Sequence, residues 1–89
     1  MYKIKRQKAF IKDISKLKFS DEHYTKFIIY LANLAQGEKL PIEARDHKLN
    51  GEFKNFREFH IRRDILVIYQ IKDTYLILIR IGSHSELFE

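Results

Sequence analysis

The apolar positions of the chain follow two different periods. Tyr2-Lys3-Ile4-Lys5 alternates apolar and basic residues, as a half-buried strand does. Phe10, Ile11, Ile14 and Leu17 then recur at helical spacing, which predicts a short amphipathic helix over residues 7–17. Phe19-Ser20-Asp21-Glu22 opens a second helix. The Ser20 hydroxyl can cap free N–H groups, the two acids suit the positive end of the dipole, and Phe19 can staple onto Tyr24. Tyr24, Phe27, Ile28, Leu31 and Leu34 or Ala35 form the expected buried stripe, and Gly37 is a natural terminator. The two helices are expected to form an antiparallel pair. Residues 37–45, with the only proline, Pro41, read as a connecting loop. From Asp46 onward the period shortens to that of strands. Residues 56–61, 65–71 and 74–81 are rich in β-branched and aromatic side chains, and Arg62-Arg63-Asp64 and Lys72-Asp73 are short enough for hairpin connections.

The order β-α-α-β-β-β predicts an α+β domain with two N-terminal helices packed on one face of a curved antiparallel sheet. The 89 residues suit one domain and leave no room for a second, and a 45% hydrophobic content can fill a single core. The absence of cysteine excludes disulfides and thiolate metal sites and fits a reducing compartment. The longest apolar run, residues 65–69, is far too short to cross a bilayer, and the first residues interleave lysines with apolar side chains instead of forming a secretory signal. A soluble, cytoplasmic protein without a membrane partner is expected. The net charge of +5 favours polyanionic partners, and Lys3, Lys5, Arg6, Lys8, Lys12, Lys16 and Lys18 concentrate it near the start.

Candidate chemistry lies in the C-terminal half. His47 follows the loop, His60 ends a strand, His84 lies just past the last strand, and Asp64 stands four residues after His60. In a meander, the turn after residue 61 and the end of the last strand can share one sheet edge, so that His60, Asp64, Arg80 and His84 meet around one cleft. Arg80 is also expected to interrupt the apolar side carrying Leu76 and Leu78, which puts an open pocket there. These residue types suit RNA cleavage by internal transfer. A base takes the ribose 2′-OH proton, an acid protonates the departing 5′ oxygen, and a guanidinium steadies the phosphorane. Histidine titrates near neutral pH and fits both proton-transfer roles. His60, Asp64 and His84 also offer metal ligands, though without a spacing signature such as H-E-x-x-H. Arg62 and Arg63 fit either a solvated hairpin tip or an RNA contact, while Phe56 and Phe59 fit the core better than a base-stacking surface.

Three ordered motifs carry a family resemblance. Asp46-His47-Lys48-Leu49-Asn50-Gly51, then Arg57-Glu58-Phe59-His60 through Asp64, then Arg80-Ile81-Gly82-Ser83-His84-Ser85-Glu86-Leu87-Phe88 resemble the YafQ branch of the RelE/ParE toxin superfamily. Roughly the last half of the chain is covered; the first half agrees only in its strand-helix-helix layout. The resemblance implies a RelE-like fold and a type II toxin that cuts messenger RNA on the ribosome, against its 16S RNA, without metal or other cofactor. It also implies a cognate antitoxin as partner and a toxin that is monomeric alone. His47, His60, Asp64 and His84 match the family's functional histidines and aspartate, Arg80 its phosphate-binding arginine, and Phe88 the aromatic near the cleft. His84 is then the expected general acid, and His60 with Asp64 supplies the base and its orientation, in either order. Arg80 is expected to stabilise the phosphorane and His47 to position a phosphate, with Lys48, Arg57, Arg62, Arg63 and Phe88 binding RNA. Lys48 stands where proline is common in the family. The alternative is a non-catalytic module of the same fold that binds RNA or a protein, as ParE-type relatives do; the histidine set argues against it.

Overall fold

The computed structural model describes residues 1–88. The N-terminal alternation forms strand β1 (Lys3–Arg6), followed by helix α1 (Lys8–Lys16) and helix α2 (Asp21–Ala35). Ser20 caps α2 as its position predicts, its hydroxyl accepting the His23 N–H at 3.1 Å. The Phe19 and Tyr24 rings meet at 6.0 Å beside it. Gly37, in the left-handed region at φ 79°, closes the C-terminus. The buried stripe of α2 is Phe27, Tyr30, Leu31, Leu34 and Ala35, whereas Tyr24 and Ile28 are about half exposed. The helix is thus rotated so that Tyr30 meets Phe59 of the sheet edge-on, with ring centres 5.7 Å apart.

A two-residue strand β2 (His47–Lys48) sits between two short 3₁₀ turns, and β3 (Arg57–Arg62), β4 (Ile65–Lys72) and β5 (Tyr75–Gly82) form the expected antiparallel meander. The sheet order is β1-β5-β4-β3-β2. β1 pairs with β5 in parallel, so the five-stranded sheet is mixed. The helical segment after β1 acts as a crossover that returns the chain to the sheet, which permits that parallel pairing. Residues 84–88 form a short helix, α3 (His84–Phe88), whose Leu87 and Phe88 fold back onto the sheet.

Alternation along β4 sends Ile65, Val67 and Tyr69 into a core with Phe10, Phe27, Leu31 and Phe59 beneath α1 and α2. Leu66 and Ile68 point to the other face, where Leu87 and Phe88 of α3 cover them together with Leu49, Phe56 and Ile79. Two bulges change the parity of the flanking strands. Ile61 is the extra residue in β3, so Arg62 lies opposite Ile65; Ile79 is the extra residue in β5, so Arg80 lies opposite Ile68. No helix of the described residues is long and apolar enough to cross a membrane.

Candidate active site

The pleat and the two bulges decide which polar side chains share a face. Residues opposite one another in the ladder point the same way. One cross-strand row runs His47–Glu58–Ile68–Arg80, and the next runs His60–Leu66–Gly82, both on the face away from α1 and α2. α3 begins two residues beyond Gly82 and lies on this face, bringing His84 with it. His47 and His60 therefore border one side of the apolar patch formed by Leu66, Ile68 and Leu87, and Arg80 and His84 lie toward the other. Neighbouring strands are about 4.8 Å apart, so Glu58 and Arg80, two strands apart, are separated by roughly 10 Å of backbone.

Glu58 organises the first side. It is the buried charged side chain of the described residues, 5% exposed. Its Oε2 lies 3.1 Å from His60 Nε2 and 3.4 Å from His47 Nε2. An ionised carboxylate only accepts, so the Nε2 atom of His60 carries the hydrogen and Nδ1 keeps a free lone pair. His47 is held at both ends, because its Nδ1 also lies 2.7 Å from the Arg45 carbonyl oxygen. Arg45 holds that carbonyl in place from a left-handed backbone conformation, φ 52°.

The chain entering β2 is pinned from the helix side of the sheet. Tyr69 donates its hydroxyl hydrogen to Asp46 Oδ1 at 2.6 Å, and Arg57 Nε donates to the same carboxylate and to the Tyr69 oxygen. Burial, with the bond to Asp46, pushes the Tyr69 hydroxyl well above its ordinary value of 10.0. Tyr69→Phe is therefore expected to cost about 1.5–3 kcal/mol, as for a hydrogen bond to a charged group. Because the folded value is raised, this contribution is present below pH 10.0 and is lost as pH rises from there through the folded value. Thermal melts of wild type and variant check this: the gap between them should narrow in strongly alkaline buffer.

Asp64 does not join His60. The bulge at Ile61 turns Arg62 toward the face of Ile65, and Arg62 takes both oxygens of Asp64, with Nη2 to Oδ2 at 3.0 Å. That hydrogen bond holds the Asp64 carboxyl below the usual range. The carboxylate partner of His60 is Glu58, which sequence reasoning missed. Lys48 and Arg57 lie opposite one another in the row of Tyr69, toward the helix side, and Arg63 is exposed in the β3–β4 turn.

Arg80 does not interrupt the side of Leu76 and Leu78, since the bulge at Ile79 moves it to the face of Ile68. A pocket does lie beside the end of β5, lined by Asp13, Lys16, Leu17, Ile81, Gly82 and Glu86. The Nε and Nη2 of Arg80 donate to the two oxygens of Asp13 on α1, at 2.6 and 3.0 Å, and this raises its already high pKa further. On the α3 side, the His84 ring lies 4.8 Å from that of Phe88, which meets Phe53 edge-on at 5.1 Å. Glu86 accepts the Ser83 N–H at 2.9 Å and steadies the turn into α3. Among the described residues there is no group of three or more His, Cys, Asp or Glu side chains arranged to hold a metal ion.

Residues 2–89 match the family model described as the bacterial toxin of type II toxin-antitoxin system, YafQ. The chain belongs to the YafQ toxin family. It is 35% identical over 79 residues to the mRNA interferase toxin YafQ of Escherichia coli K12, covering 86% of this chain and 74% of the relative. The fold agrees over the whole length. A metal-bound toxin from Helicobacter pylori superposes with TM-score 0.87 at 40% identity, over 99% of this chain and 100% of that one. YafQ in its complex with DinJ, from E. coli, superposes with TM-score 0.85 at 27% identity over the full length of both. As a YafQ family member the protein is a type II toxin–antitoxin toxin with the α+β architecture expected from its strand and helix periods.

Proposed function

We propose that this YafQ-family protein is an endoribonuclease that cuts messenger RNA by attack of the ribose 2′-OH, without a metal ion. The observation that carries the reading is the Glu58-anchored pair of His60 and His47 on the sheet face that also bears Arg80 and α3 with His84. His60 Nδ1, left with a lone pair by the Nε2 contact to Glu58, takes the 2′-OH proton. The 2′ oxygen bonds to phosphorus while the bond from phosphorus to the 5′ oxygen breaks, and His84 gives that oxygen its proton. Arg80 carries the charge of the phosphorane, and His47, held between Glu58 and Arg45, positions a phosphate oxygen. Phe88 backs the His84 ring and offers an aromatic edge to a base. Asp64 has no part in this proton transfer, being engaged by Arg62.

The E. coli relative's name as an mRNA interferase supports the substrate, and the E. coli complex of YafQ with DinJ supports a cognate antitoxin as the partner that silences the toxin. The ribosome is the place of action in this reading, in the cytoplasm. Exposed Lys3, Lys5, Arg6, Lys8, Lys12 and Lys16 form a basic surface on β1 and α1 for its 16S RNA, and such binding weakens steeply with salt.

The test is RNA cleavage with protein freed of metal by dialysis against chelator, on isolated RNA and in a magnesium-containing translation extract. Internal transfer predicts fragments ending in a 2′,3′-cyclic phosphate and beginning with a 5′-hydroxyl, at an undiminished rate. Activity that returns only on adding copper or zinc would overturn metal independence. Fragments with 5′-phosphates would overturn the mechanism.

A further inference from the structure

β1 leaves the edge of β5 at Leu78, and the next stretch of that edge is covered by α1 instead of a strand. Asp13 fills the gap. Its Oδ2 accepts the Ile81 backbone N–H at 3.1 Å and Arg80 Nε at 2.6 Å, and its Oδ1 accepts Arg80 Nη2 at 3.0 Å. The Asp13 side chain is 17% exposed, while that of Arg80 is 36% exposed, so the carboxylate is shielded and the guanidinium keeps one side open. We propose that Asp13 is a positioning residue for the reaction: it fixes the Arg80 guanidinium so that its unused edge presents a preformed fork to the scissile phosphate. This inference rests on the phosphate role given to Arg80 above.

The donor count supports it. A guanidinium has five N–H groups, and Asp13 takes one on Nε and one on Nη2. Both N–H groups of Nη1 and the second of Nη2 remain, which is the pair of nitrogens that meets phosphate oxygens bidentately. A free arginine would lose rotamer freedom on meeting the substrate, whereas this one is already ordered. The fold also explains why Asp13 is the residue that does it. The bulge at Ile79 turns Arg80 toward the reaction face, and the same edge exposes the Ile81 N–H that anchors the carboxylate. Asp13 itself is not a catalytic residue, since it acts through Arg80.

A double-mutant cycle on single-turnover cleavage at saturating RNA tests this. Asp13→Asn keeps an oxygen for the Ile81 N–H and removes the charge that grips Arg80. It is expected to slow cleavage by about tenfold to a hundredfold, the scale of a misplaced reacting group. Arg80→Ala should slow it at least as much, and adding Asp13→Asn to Arg80→Ala should cost nothing further. A merely structural Asp13 would slow the Arg80→Ala background by the same factor as wild type, and that result overturns the proposal. So does an Asp13→Asn variant that cuts as fast as wild type or faster, which would make Asp13 irrelevant or a restraint. If Arg80→Ala cuts at the wild-type rate, the phosphate role of Arg80 fails and the proposal with it, a pattern distinct from the other two. Should Asp13→Asn melt early, Asp13→Glu, which keeps the charge but displaces it, enters the same cycle with the same expectations.

Discussion

Alanine at His84 is expected to slow RNA cleavage by about 10²–10⁴-fold, and alanine at His60 by a similar factor, the usual worth of a positioned acid or base. Neither change should unfold the protein. His84 is exposed at the start of α3, and His60 is partly exposed on β3, outside the core beneath α1 and α2. The two variants report on opposite proton transfers, so the double variant should be little slower than the worse single one if the two residues serve one concerted displacement. Single-turnover assays on the same RNA, with thermal melts alongside, separate lost chemistry from lost fold. Near-normal cutting by both single variants would leave the imidazoles without a catalytic part, and the family resemblance would then describe a fold alone.

The parts of the molecule governed by a repeating period were legible in the chain. Alternation at Tyr2-Lys3-Ile4-Lys5 located β1, the Ser20 cap located the start of α2, and the β-branched runs located the meander. What a period does not encode was missed. β2 has two residues, too few to show alternation, and α3 has five, too few for a helical stripe. The parallel placement of β1 against β5 depends on how the helical crossover returns, which local pattern does not specify. Bulges were the larger obstacle. Both faces of β4 are buried, so the apolar pattern there gives no sign of which side a neighbour's charge takes. The extra residue Ile79 reversed the expected side of Arg80, and the extra residue Ile61 turned Arg62, the partner of Asp64, away from the face of His60. A readable signal existed for Glu58. It stands two residues before His60 in a strand, so the two side chains must share a face, and a carboxylate there needs a partner. Asp64 drew attention instead by standing in the hairpin four residues after His60, although Arg62 is nearer to it along the chain.

Removing the charge of Glu58 is the second large effect expected. Glu58→Gln preserves the volume of a side chain only 5% exposed, so the sheet and α3 should keep their packing. The variant loses three things at once. The amide no longer requires Nε2 of His60 to carry the hydrogen, so the ring can adopt the tautomer whose Nδ1 is a donor and cannot accept the 2′-OH proton. The negative charge that stabilises the imidazolium formed at His60 is gone. His47, 3.4 Å away on the other side, loses its charged anchor and keeps only the Arg45 carbonyl. Neutralising a carboxylate that orients a catalytic histidine can cost on the order of 10⁴-fold in proteases built on that arrangement, and about 10²–10⁴-fold is expected here. A change in imidazole tautomer is directly visible in ring ¹⁵N chemical shifts, so NMR of Glu58→Gln provides a check that does not depend on turnover. If the His60 ring keeps its Nε2–H tautomer and the variant cuts RNA like wild type, Glu58 is only a buried structural group. The proton relay would then have to be rebuilt around another acceptor.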